Sequence, residues 1–334
     1  MADVARLAGV SHQTVSRVLN GHPNVRAETQ TRVRNAIEEL GYHRNLSARA
    51  LVTRKTRILG VVAFDTTLYG PASTLLGIEQ AAREAGYFVS IVSLRTITRQ
   101  TVSEALNHLA EQSVDGVIVI APQRSAVEAL ADLPAQRPLV AVEGGRANGT
   151  PVVCVDQVGG AYAATRHLLD CGYHTVHHVA GPLDWLEAEG RVTGWRQALT
   201  EADCPIPEPY YGDWSPRSGF EIGLRLAADS SHGVSAVFVA NDQMALGVLR
   251  ALAESGLRVP EDVSVVGFDD VPEAEFFTPP LTTVRQDFTE VGERAIQMLL
   301  DLLAGNETSR RDGGAAREVV PARLVQRMST VSHP

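Results

Sequence analysis

The sequence predicts an α/β protein in which a small helical module precedes two Rossmann-like lobes. From residue 57 onward, short apolar, β-branched runs alternate with amphipathic helical stretches, the order of parallel sheets covered on both faces. Roughly eleven such runs exceed what one doubly wound sheet usually holds, so two lobes are the economical solution. Charge divides the chain in the same way. Its 334 residues carry a formal net charge of −9, but residues 1–57 hold ten basic and four acidic side chains, +6, leaving −15 for the remainder. A basic module on an acidic body fits a nucleic-acid partner for the module, which the whole-chain charge conceals.

Three short helices fit the module. The first covers Asp3 to Ala8, and Gly9 closes it. Ser11 opens the second as an N-cap. At 100° per residue, Val15, Val18 and Leu19 share one face of it and His12, Gln13, Ser16 and Arg17 the other. The third repeats Val33, Ala36, Ile37 and Leu40 at i, i+3, i+4, i+7 and stops at Gly41. Two helices joined by a Gly-containing turn, the second presenting Gln and Arg, fit a helix-turn-helix. The chemistry suits a DNA major groove, where Arg grips guanine O6/N7 and Gln grips adenine N6/N7. Pattern alone leaves open a solvated polar face on a small bundle. Asn45 to Leu51 reads either as an N-capped helix of two turns, marginal alone in water, or as an ordinary linker.

In the body, strand-like runs are Ile58–Phe64, Tyr87–Leu94, Gly116–Ala121, Leu139–Glu143, Val152–Val155, Val176–Ala180, Ala236–Ala240 and Val263–Phe268. Helical stretches between them include Ser73–Ala85, Thr101–Glu111, Tyr162–Leu169, Met244–Glu254 and Phe288–Leu303. Ligands of such folds bind where strand carboxyl ends meet a crevice. The residues closing the strands include Asp65, Glu143, Asp156, Trp214, Asn241, Asp242, Asp269, Asp270 and Asp287, which is hard to explain as packing. Asp156 and Asp242 are the candidates for a plain helix-capping role.

The strings Asp3-Val4-Ala5, Ala8-Gly9-Val10-Ser11 and Thr14-Val15-Ser16-Arg17-Val18-Leu19-Asn20 resemble the opening of the lac-repressor-type (LacI/GalR) family of transcription regulators. Gly212-Asp213-Trp214-Ser215, Val239 to Gly247, Ser264 to Asp270 and Pro280-Leu281-Thr282-Thr283 extend that resemblance over nearly the whole chain. It implies a helix-turn-helix DNA-binding domain over 1–44, a hinge helix and linker over 45–56, and two lobes of the periplasmic-binding-protein type. The first lobe would comprise 57–155 and 287–314, the second 156–284 and 315–328. By the same resemblance Ser11, His12, Gln13, Thr14, Ser16, Arg17, Asn20 and Tyr42 face operator DNA. Asn45, Ala48 and Leu51 meet its minor groove, Leu51 as a kinking wedge. A sugar effector would lie between the lobes, hydrogen-bonded by Arg191, Asn241 and Asp269 and packed on Trp214 and Phe288. Leu68 and Tyr69 would line the pocket from the first lobe, and Glu143 would add a further contact.

This chain departs from the family pattern in several places. The first helix lacks its upstream Thr cap, Arg26 stands where Ser caps the third helix, and Arg44 replaces a Pro. Glu143 stands in place of Asp and Ile120 in place of Asn, which leaves the identity of the sugar open.

No apolar run approaches the roughly 18 residues of a membrane span. The opening residues form no basic-then-apolar leader, so a cytoplasmic location is expected. Cys154, Cys171 and Cys204 fit neither a disulfide framework nor a Cys-x-x-Cys pair. His174, His177 and His178 could suggest a metal, but alternate strand residues point to opposite faces and no Cys or acidic cluster adjoins them, so neither metal nor cofactor is expected. GxSxG, Walker A and HExxH motifs are absent, which argues against an enzyme on the same fold. A leucine-heptad tail is missing, so the expected assembly is a homodimer.

Overall fold

The computed structural model describes residues 1–19, 22–42, 55–131, 137–143, 149–229, 234–306, 310–311 and 314–331. The chain divides into two compact units, Met1–Thr56 and Arg57–Pro334. In the first, α1 (Ala2–Ala8), α2 (His12–Leu19) and α3 (Ala27–Glu39) enclose a small core of Val4, Ala8, Val15, Val33 and Ala36. Gly9 adopts φ 64°, the left-handed conformation that ends α1. The Ser11 hydroxyl accepts from the Thr14 amide at 3.2 Å and so starts α2. Arg26 occupies the N-cap of α3 without a side-chain cap bond. The apolar stripe of α3 is one residue shorter than its sequence pattern, because Leu40 follows the helix as its C-cap and is 45% exposed. Asn20 and the segment from Asn45 to Leu51 lie outside the described residues.

The second unit holds two parallel sheets. In the first lobe, β1 (Ile58–Phe64), β2 (Phe88–Leu94), β3 (Gly116–Ile120), β4 (Leu139–Val142) and β5 (Val152–Val155) lie in the order β5–β4–β3–β1–β2. Both faces are covered. Leu59, Val61 and Ala63 of β1 pack against α4 (Tyr69–Glu84), while Val62 meets α5 (Arg99–Glu111). That two-sided burial is why β1 reads as an unbroken apolar run. β2 has a neighbour on one side, and Phe88 and Ile91 stay exposed. After β3 comes the short α6 (Arg124–Ala131).

The second lobe repeats the plan with β6 (His177–Ala180), β7 (Tyr210–Tyr211), β8 (Ala236–Val239) and β9 (Ser264–Val266) in the order β7–β6–β8–β9. α7 (Gln157–Asp170) and α8 (Leu186–Glu201) cover one face through Leu168, Trp195 and Leu199. α9 (Pro216–Asp229) and α10 (Asp242–Glu254) cover the other through Leu226, Met244 and Val248. α7 begins five residues before the expected Tyr162. Gly159 and Gly160 hide its first turn from a periodicity reading, and the Asp156 carboxylate caps it from 2.8 Å.

The chain crosses between lobes after β5, again between β10 (Thr283–Arg285) and α11 (Phe288–Ala304), and a third time near residue 321. The third crossing corrects the expectation that 315–328 belong wholly to the second lobe. Arg317–Val320 pairs in parallel with β5 as a sixth strand of the first sheet, and Arg323–Val325 then pairs antiparallel with β10. Apolar alternation cannot distinguish those two neighbours.

Helices α4 and α11 pack at backbone contact. A Cβ on Gly292 would lie 2.2 Å from the Gly77 carbonyl carbon, and one on Gly77 would lie 2.4 Å from the Phe288 carbonyl oxygen. Gly292→Ala is therefore expected to force the helices apart and to cost about 1–3 kcal/mol. Urea unfolding monitored by circular dichroism checks this, and an unchanged midpoint contradicts it.

Candidate functional site

The carboxyl ends of the two sheets converge on a pocket of about 370 Å³. The first lobe contributes Leu68, Tyr69, Gly70, Pro71 and Phe288, and the second Trp185, Glu187, Arg191, Trp214, Asn241, Gln243 and Asp269, with Gln286 at a crossing. Seven of the eight residues expected there thus meet in one place. Backbone strain concentrates at the same strand ends: Glu143 (φ 59°), Trp214 (φ 73°) and Asp269 (φ 116°) hold conformations that L-residues rarely adopt.

Four buried side chains form a closed ring at the base. Arg191 Nε donates to Gln157 Oε1 at 2.9 Å, and Gln157 Nε2 donates to Gln286 Oε1 at 2.9 Å. Gln286 Nε2 donates to Asp269 Oδ1 at 2.6 Å, and Arg191 Nη2 lies 3.6 Å from that same oxygen. Arg191 also donates to the Ala240 carbonyl and lies over the Phe268 ring at 4.0 Å. Burial pushes the Asp269 carboxyl up to about 6 against the opposing pull of Arg191 and Gln286.

Above the ring the walls are aromatic. Trp185 and Trp214 meet edge to face at 5.5 Å, and Tyr69 and Phe288 at 5.9 Å. Trp214 is 6% exposed and belongs to the second-lobe core as well as the wall, and no described residue accepts from its Nε1. Asn241 is engaged as the N-cap of α10. Its Oδ1 accepts from the Met244 amide at 3.0 Å, and its Nδ2 donates to the Trp214 carbonyl and to Gln243. The capping role expected of Asp242 therefore falls to Asn241. Asp242 is fully buried, accepting from Thr283 Oγ1 at 2.6 Å and the Val271 amide at 2.9 Å.

Glu143 is not in this pocket. The Val155 amide donates to its Oε1 at 2.9 Å and turns it into an adjoining cavity of about 810 Å³, lined also by Asp156, Gln157, Glu187 and Arg317. Burial, eased by the Val155 N–H and Arg191, pushes Glu143 up to about 7. Glu187 stands in both cavities and is pushed up to about 8, by burial and then by the negative charge of Glu143. Sequence reasoning missed Trp185, Glu187, Gln157 and Gln286. The loop after β6 closes a strand as the inspected positions do, and extending the strand-end rule to it would have found the first two.

In the module, Ser11, His12, Gln13 and Arg17 are exposed on one side of α2, whereas Thr14 and Ser16 are half-buried. The Thr14 hydroxyl lies 2.9 Å from that of Ser11, as part of the cap. Tyr42 is half-buried against the small core. Asn20, Asn45, Ala48 and Leu51 lie outside the described residues. Among the described residues no group of His, Cys, Asp and Glu is placed to hold a metal ion, and no helix is long and apolar enough to cross a membrane. His174 precedes β6. His178 is buried between Trp195 and Phe238, and its Nδ1 lies 2.9 Å from the Phe238 carbonyl.

A helical module bearing an outward polar helix, joined to a two-lobed binding cleft, defines a ligand-responsive regulator class. Comparison with known proteins agrees. Residues 1–45 match the bacterial regulatory proteins of the lacI family, and residues 165–330 match a periplasmic binding protein-like domain. The chain is 34% identical to the lactose operon repressor of Escherichia coli (strain K12) over 335 residues, covering 99% of this chain and 90% of that one. It is similar in structure to a lac repressor dimer bound to operator and the anti-inducer ONPF, with a TM-score of 0.86 at 32% identity over 99% and 98% of the two chains. A complex of the transcriptional regulator CelR with cellobiose matches with a TM-score of 0.72 at 33% identity over 98% of both chains. The chain belongs to the LacI family of transcriptional regulators.

The raised carboxyls make stability depend on pH. Each binds its proton more tightly in the folded than in the unfolded chain, so its contribution is full below the unfolded value near 4 and is lost as pH rises through the folded value. His178, pushed down to about 4 by burial, acts oppositely and loses its contribution as pH falls from about 6.5. Glu143→Gln is expected to leave stability unchanged near pH 4 and to raise it by about 3 kcal/mol at pH 8. Urea midpoints at the two pH values check this; an equal effect at both contradicts it.

Proposed function

We propose that this chain is a cytoplasmic repressor that binds a pseudo-palindromic operator as a homodimer and is released by a small sugar held in its cleft. The observation that carries this reading is one pocket in which aromatic faces oppose buried polar groups. A pyranose needs both: rings for its apolar C–H face, and Arg191, Asp269 and Asn241 for its hydroxyls. In this reading Trp214 and Phe288 carry the sugar face, Leu68 and Tyr69 close over it, and Glu143 meets a group extending into the second cavity. The cellobiose complex of CelR and the operator complex of the lac repressor support the ligand class and the partner.

In the same reading Gln13 and Arg17 read base edges, Ser11, His12, Thr14, Ser16, Asn20 and Tyr42 support them, and Asn45, Ala48 and Leu51 add minor-groove contacts. Exposed Leu76, Phe88 and Ile91 on the first lobe and Leu224, Leu246 and Phe276 on the second suit burial against a second copy.

A thermal-shift panel of lactose, cellobiose and monosaccharides tests the effector class. At 100-fold over Kd, a bound sugar adds about 2.7 kcal/mol of stability. At least one sugar is expected to stabilise the wild type and none the Asp269→Asn variant. The four rings also suit a flat heterocycle, so nucleobases belong in the panel; stabilisation by those alone overturns the sugar class. For the module, Gln13→Ala and Arg17→Ala are each expected to cost about 1–3 kcal/mol of preference for a duplex selected by the wild type, with thermal shifts retained. Fluorescence anisotropy against selected and scrambled duplexes measures this, and an unchanged preference rejects the assigned helix face.

A further inference from the structure

Trp185 belongs to the second lobe, yet the first lobe holds it. It follows β6, while Pro122 to Ser125 follow β3 across the cleft. Residues Gln123 and Trp185 pair as an antiparallel bridge: the Arg124 amide donates to the Asp184 carbonyl and the Leu186 amide to the Pro122 carbonyl, each at 2.9 Å. Side chains extend the contact. Arg124 Nη2 lies 2.6 Å from Glu189 Oε2, and Ser125 Oγ donates to Asp184 Oδ2 at 3.1 Å. The indole of Trp185 then stands between Phe64 of the first lobe, at 6.4 Å, and Trp214 of the second, at 5.5 Å, and is 6% exposed. It also lines the pocket.

We propose that Pro122–Ser125 and Asp184–Glu189 form a clasp between the lobes that must open to admit or release a cleft ligand, with Trp185 as its ligand-facing positioning residue. This rests on reading the cleft as an effector site. The contrast with the base of the cleft sets which contact yields first. Arg191, Asp269, Gln157 and Gln286 are buried, so separating them strands a charge and three polar groups. Arg124 and Glu189 are more than half exposed, and water replaces their partners at little cost. Opening therefore breaks the clasp and leaves the crossings intact. Because its neighbours Asp184 and Leu186 are backbone-bonded to the first lobe and its ring packs on Trp214 of the second, any ligand resting on Trp185 feels the distance between lobes.

The test needs no sugar, which separates its failure from a failure of the effector reading. The full chain carrying Arg124→Ala, and separately Glu189→Ala, is followed by amide exchange and by acrylamide quenching of tryptophan. Trp195 is fully buried in the second-lobe core, so quenching reads the entry of a small polar molecule to Trp185 and Trp214. Both variants are expected to exchange the amides of residues 124 and 186 up to about fivefold faster and to quench more strongly. The double variant should add little to either single one, since all three remove the same contact. Amides of β8 should exchange as in the wild type. Unchanged exchange at residues 124 and 186 overturns the clasp, and so does equal acceleration in β8, which would mean that the whole lobe has loosened.

Discussion

The buried guanidinium of Arg191 is the constraint on which the effector-binding unit depends. A charge 3% exposed must be paired and hydrogen-bonded, and its partners come from separate parts of the chain: Asp269 after β9 and Gln157 just past the first crossing, with Gln286 at the second crossing bonding both of them. Satisfying one side chain thus fixes the relative positions of two crossings and two second-lobe elements. It also presents the Asp269 carboxyl at the bottom of a cleft, where a hydroxyl-rich ligand can complete the hydrogen bonding.

Parallel sheets account for the rest of the site. With both faces covered by helices, the free positions are the strand ends, and both sheets turn theirs toward the same crevice. The polar and strained residues collect there, and burial raises Asp269, Glu143 and Glu187 together. Their shared reluctance to ionise means that a ligand bringing donors into the cleft relieves a cost already present without it. Two adjoining cavities divide the residues: the rings, Arg191 and Asp269 line one, Glu143, Asp156 and Arg317 the other, and Glu187 stands in both.

Much of this was legible in the sequence. Strand positions followed from β-branched runs, and the outward face of α2 from a rotation of 100° per residue. Arg191, Trp214, Asn241, Asp269 and Phe288 followed from strings resembling the family. What escaped has physical reasons. Gln157 and Gln286 carry no motif, since their role is to be reached by Arg191 and Asp269, which depends on how crossings from distant parts of the chain lie side by side. That Glu143 lines the adjoining cavity was not legible, because a backbone N–H, that of Val155, decides where it points. The strand 317–320 escaped because its pattern suits either sheet. Trp185 escaped because its bridge partner Gln123 lies some sixty residues upstream, a pairing that no local pattern reports.

Placing the helical module and the cleft in one regulator makes a thermodynamic claim: the two sites share a coupling free energy. The most direct measurement is a reciprocal titration. Operator affinity is measured with and without a saturating cleft ligand, and ligand affinity with and without saturating operator duplex. The ligand is expected to change operator affinity by about 5–150-fold, and operator to change ligand affinity by the same factor. Two affinities that are each indifferent to the other ligand would contradict the coupling.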